Sequence, residues 1–186
     1  MKNFILIVLI LTLCSGGSAM ALDNRKSTVN VPVKLIQEPV NTFSLPSDFL
    51  KNASTAVQTA HSLKALLKPG KVWISKTPRG EVVIKAALMY EGVPVGSLEF
   101  DPITGEILPK GYHPSTFNQK IPLEKVKHKV QEIIPKLSVL NGAEFRMPES
   151  CWVVPLAIDG KIVSHVKIFY DGKHVVPDYP LENELK

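Results

Sequence analysis

The chain has few of the residues that declare a function. Its 186 residues include two cysteines, Cys14 and Cys151, so neither a Cys-x-x-Cys pair nor a disulfide framework can be written. No Gly-x-Ser-x-Gly elbow, His-Glu-x-x-His helix or phosphate-cradling glycine loop occurs. Without these signatures of nucleophilic, zinc and nucleotide chemistry, no enzyme activity and no cofactor is expected. Asp101 and Glu106 lack the alternating Asp/Asn ligands of a calcium loop and are expected to form a turn. The net charge of +5 is mild, and it comes without the dense Lys/Arg clusters interleaved with aromatics that nucleic acid would need. The apolar run from Phe4 to Cys14 is about 11 residues long, against the roughly 20 that span a bilayer.

That short run has another use. Lys2 precedes it, and small residues follow it up to Ala19-Met20-Ala21. A basic start, a short apolar segment and an A-x-A site make a secretory signal peptide. Cleavage is expected between Ala21 and Leu22, giving a protein that is periplasmic or secreted and has no transmembrane anchor. Leu13 is too bulky for the position before a lipidated Cys14. Cys151 would then be the sole thiol in an oxidising compartment.

Beyond the signal, the chain carries an internal likeness. Leu88 to Val95 aligns with Leu156 to Val163 at an offset of 68 residues, and Leu98 and Phe100 continue the match with Val166 and Ile168. Upstream of each block lies a helical apolar pattern, over 54–68 and over 123–137, with Pro135 expected to kink or end the second. Glu91-Gly92, Asp159-Gly160 and Asp171-Gly172 mark two-residue hairpin turns. The expected fold is α+β, with two tandem repeats of a helix followed by a three-stranded antiparallel meander. The division is a signal over 1–21, an extended arm over 22–46, a first repeat over 47–109, a linker over 110–122, a second repeat over 123–180 and a C-terminal tail over 181–186.

This succession of helix, strand, hairpin and a strand closed by Asp101-Pro102-Ile103-Thr104-Gly105-Glu106-Ile107 resembles the PepSY-like module of exported bacterial proteins. The resemblance covers roughly Ser47 to Pro109 and Leu123 to Pro177, and the second copy keeps only Asp171-Gly172-Lys173 of the closing motif. It implies a non-catalytic extracytoplasmic domain, of a kind associated with peptidase propeptides and the restraint of peptidases or envelope proteins.

Hairpin alternation then assigns faces. An unbroken hairpin at Asp159-Gly160 puts Cys151, Val153, Ala157, Ile162, Val166 and Ile168 on one apolar side, where Cys151 is expected to be a buried, inert hydrophobe. In the first copy the matching face holds Val83, Ala87, Met89, Leu98 and Phe100. The other side of the second hairpin gathers Trp152, Val154, Leu156, Val163, His165, Lys167 and Phe169, together with Ile158 and Lys161, and these form the candidate partner surface. His165 and His174 share a face but stand four residues apart, about 13 Å along a ladder, too far to share one ion, so no metal site is expected. The expected function is an exported, non-enzymatic binding or inhibitory module engaging an extracytoplasmic protein partner, a peptidase or an envelope complex. The alternative is a periplasmic small-ligand, metal or redox carrier drawing on His165, His174 and Cys151.

Overall fold

A computed structural model describes residues 47–186; the expected signal and arm lie outside the described residues. The fold is α+β with antiparallel sheets. Helix α1 (Phe49–Lys64) buries Ala56, Ala60 and Leu63, a stripe at i, i+4 and i+7. It is followed by β1 (Lys68–Lys76), β2 (Val82–Tyr90) and β3 (Val93–Phe100), which form a three-stranded meander in the order β1-β2-β3. Helix α2 (Leu123–Ile133) buries Val126, Val130 and Ile133. It ends before Pro135 in a 3-10 turn at Ile134–Lys136, the early end that a proline without an N–H imposes.

The second half departs from a three-stranded meander. Its sheet has five strands. Strands β6 (Cys151–Ile158) and β7 (Lys161–Phe169) form the hairpin, β8 (Val175–Val176) flanks β7, and the two short strands β4 (Ser138–Val139) and β5 (Glu144–Arg146) share the outer edge of β6. The chain closes in helix α3 (Tyr179–Leu185), with Leu181 buried, where a tail was expected. Asp178 before it and Pro180 in its first turn are ordinary helix-start signals.

Both hairpins turn tightly, with positive φ at Glu91 and Gly92 and again at Asp159 and Gly160, as two-residue connections matched to strand twist require. The expected register holds for Ile158 opposite Lys161 and Ala157 opposite Ile162, then fails. A bulge at Val163 puts Ser164 opposite Leu156, Val166 opposite Val154 and Ile168 opposite Trp152. The same irregularity falls at Val95, so that Leu98 faces Ala86 and Phe100 faces Ile84. One inserted residue sends every side chain beyond it to the other face. The faces read from unbroken alternation are therefore corrected: Val166 and Ile168 join Trp152, Val154 and Leu156, while Leu98 and Phe100 leave Ala87.

The helices lie on the sheet each does not lead into. Helix α1 packs on β4, β6 and β7, and α2 packs on β1 and β2. The sheets meet along β3 and β7, where a Cβ on Gly96 would stand 2.7 Å from the His165 carbonyl oxygen and Ser164 Oγ donates to the Ser97 carbonyl at 2.8 Å. One apolar cluster unites α1 and α2 with the inner faces of both sheets, through Ala60, Ile84, Leu98, Val130, Trp152, Val166 and others. The outer faces, bearing Val83 and Ala87 on one sheet and Cys151 and Val153 on the other, stand apart from this core.

Candidate functional site

The bulge at Val163 divides the seven residues of the candidate surface. Trp152, Val154, Leu156 and Val163 are buried in the common core. The Trp152 ring packs 4.6 Å from Phe49 and 4.8 Å from Phe145, and its indole N–H donates to the Tyr170 carbonyl at 3.0 Å. Cover for this face therefore comes from α1 and the common core. His165, Lys167 and Phe169 turn instead to the outer face, opposite Pro155, Val153 and Cys151.

The outer face of β5, β6 and β7 is consequently more polar than expected. Arg146, Cys151 and Phe169 form one row across the strands, and Glu144, Val153, Lys167 and Val176 form the next. Lys167 is only 9% exposed. Its ammonium pairs with Glu149 at 2.5 Å, and Glu149 also lies 3.7 Å from the Arg146 guanidinium. The Lys167 side chain lies over the strand surface with its charge satisfied at the rim. This pairing holds the Glu149 carboxyl below the usual range, the Lys167 hydrogen bond being the largest cause. At the edge, Phe169 is 45% and Met147 70% exposed.

Cys151 is fully buried. Burial first, and the Glu149 carboxylate second, push its thiol upward, away from the reactive thiolate. His165 is pushed down to about 4, chiefly by burial and then by the charge of Lys110, with Arg146 adding. His174 is exposed and held in its own turn by Asp171, Nδ1 to Oδ2 at 2.5 Å. Among the described residues no group of three or more His, Cys, Asp or Glu side chains is placed to hold a metal ion, and no helix is long and apolar enough to cross a membrane.

Concave surface lies elsewhere. A groove of about 500 Å³ runs between Ala53, Val57 and His61 of α1 and the loop Asn141-Gly142-Ala143, where β4 breaks off before β5. A smaller one of about 240 Å³ runs between the β1 bulge at Gly70-Lys71 and Leu123, Glu124 and Lys127 of α2. Sequence reading missed Arg146, Met147 and Glu149, because the split of the outer strand that brings them to the rim has no motif. No family model, curated protein or solved structure matches the chain.

Proposed function

We propose that the chain is an exported, non-enzymatic binding module made of two tandem PepSY-like units, engaging an extracytoplasmic protein partner through the outer face of β5, β6 and β7. The duplication draws support from paired details. The bulges at Val95 and Val163 are 68 residues apart and both side chains are buried. Lys110 N–H donates to the Ile162 carbonyl and Asp178 N–H to the Pro94 carbonyl, both at 2.8 Å, the same contact made in both directions. The split strand β4–β5 matches β1, whose register breaks between Pro69 and Val72 where the other chain segment loops out.

The observation that carries the binding reading is the row Arg146, Cys151, Phe169, with Met147 adjoining. It offers an exposed aromatic, a methionine and a guanidinium beside the Lys167–Glu149 pair, residue types enriched in interface cores. A peptidase or an envelope complex is the kind of partner that the PepSY resemblance suggests. The test is a pull-down from the exported fraction with wild type, Phe169→Ala and Trp152→Ala. Phe169→Ala should weaken the complex by about 2 kcal/mol or more with little change in the melting midpoint. Recovery of no protein, or equal recovery by wild type and Phe169→Ala, refutes the reading. Intact mass of the exported protein should begin at Leu22.

A further inference from the structure

Helix α3 crosses the outer face of β1, β2 and β3 on three anchors. Asp178 N–H donates to the Pro94 carbonyl of β3 at 2.8 Å. The Lys85 ammonium of β2 reaches both Glu184 oxygens, at 3.1 and 3.3 Å. Lys71, in the β1 bulge, donates to the Leu185 carbonyl at 3.2 Å. Between the anchors Leu181 is 5% exposed yet stands outside the common core, as do Val83 and Ala87 of the face beneath. Tyr179 is exposed. One leucine, one ion pair and two backbone contacts thus hold a helix of seven residues, far below the length at which a helix is stable by itself.

A helix so held is drawn from the low-stability end of a fold, and its contacts specify what the face beneath it takes. We propose that the outer face of β1, β2 and β3 is a binding site for an acidic amphipathic helix carrying a leucine and a carboxylate three residues apart, and that α3 occupies it in cis as an exchangeable cover. The charges are complementary: Lys71 and Lys85 on the sheet meet Glu184 and the C-terminal carbonyl end of the helix, where the dipole also favours cations. Lys85 packs beside Trp73 on the same face, so an incoming helix has an aromatic side wall. This rests on the partner-binding reading only for the source of the incoming helix.

The probe is a labelled synthetic peptide of residues 177–186, titrated into the full chain and into its Leu181→Glu variant. Leu181→Glu disables the cover without touching the common core, and Glu184→Lys, at a side chain 43% exposed, gives the same readout where the first variant folds poorly. The variants should bind the peptide at least tenfold more tightly than wild type does. Lys85→Glu introduced into the variant should abolish that binding, and a peptide carrying Glu184→Lys should restore it. Equal binding by wild type and variants, no binding by the variants, or indifference to Lys85→Glu overturns the proposal. The two readings fail separately. A peptide site with no exported protein recovered leaves this inference standing and removes the partner, whereas a partner recovered by wild type and lost by Phe169→Ala, with no peptide binding by the Leu181→Glu variant, leaves the partner and removes this site.

Discussion

The two sheets answer the same structural problem with different outer faces. The face of β1, β2 and β3 is roofed by α3, a hydrophobic contact with one ion pair from Lys85 to Glu184. The face of β5, β6 and β7 is covered by its own long side chains, Lys167 and Arg146 lying over Val153 and Cys151 with Glu149 closing the rim. Positions 68 residues apart carry different chemistry, Lys85 against Val153 and Glu99 against Lys167. Inner faces tolerate no such divergence, because Ile84, Leu88, Trp152 and Leu156 all enter one core. The two sheets thus share a common core on their inner faces and differ in what covers their outer ones.

The largest effect should come from the inner face. Trp152 is 2% exposed and joins Phe49 of α1 to Phe145 of β5. Trp152→Ala is expected to cost about 3 to 5 kcal/mol, read as a lowered urea midpoint of the isolated protein. Ile84→Ala at the corresponding place should cost about 2 to 5 kcal/mol. A Trp152→Ala loss under 1 kcal/mol would mean that α1 does not cover this sheet.

Much of the skeleton was legible: the Glu91-Gly92 and Asp159-Gly160 turns, the proline that ends α2, and an apolar stripe for each helix, although the first helix runs Phe49–Lys64 and not over 54–68, with Lys68, Pro69 and Gly70 already in β1. Faces beyond the bulges were not legible. Val95 and Val163 are β-branched residues that suit a regular strand as well as a bulge, so nothing local marks the extra residue. The hint lay one position on, where Gly96 and Ser164, both small, stand at the close approach of β3 and β7. Phe169, Lys167 and His165 were singled out for a surface and do lie on an outer face, but they were grouped with Trp152, Val154 and Leu156 across a register slip. The exchange of helices between sheets leaves no trace in the amphipathic pattern, which records that a face is buried and not against which partner.

His165 gives the next effect, and it has no titratable counterpart on the other sheet, where Ser97 holds the place. Its folded pKa, about 4, lies below the unfolded value near 6.5, so the unfolded chain binds the extra proton as pH falls. Stability is therefore complete above about pH 6.5 and declines as pH drops toward 4, by up to about 3 kcal/mol at 1.36 kcal/mol per unit. Urea midpoints at pH 7, 5.5 and 4 should fall, and His165→Gln should flatten that decline. An equally steep decline in His165→Gln would assign it to other groups.

The smallest effects test the seam itself, where Gly96 and Ser164 hold corresponding positions and cannot be exchanged. A methyl on Gly96 would be driven to 2.7 Å from a backbone oxygen of His165, which can yield only by opening β3 from β7. Gly96→Ala is expected to cost about 1 to 3 kcal/mol, the usual range for overpacking. On the facing strand, Ser164 is 1% exposed and donates across the seam to Ser97. Ser164→Ala removes that bond and leaves the half-buried Ser97 carbonyl short of a partner, a loss of about 1 kcal/mol. Ser164→Gly should cost somewhat more, since it also frees the backbone of a strand interior. Denaturant melts of the three variants give the ranking. If Gly96→Ala is as stable as wild type, the strands do not approach so closely, and the seam is looser than the inner core requires.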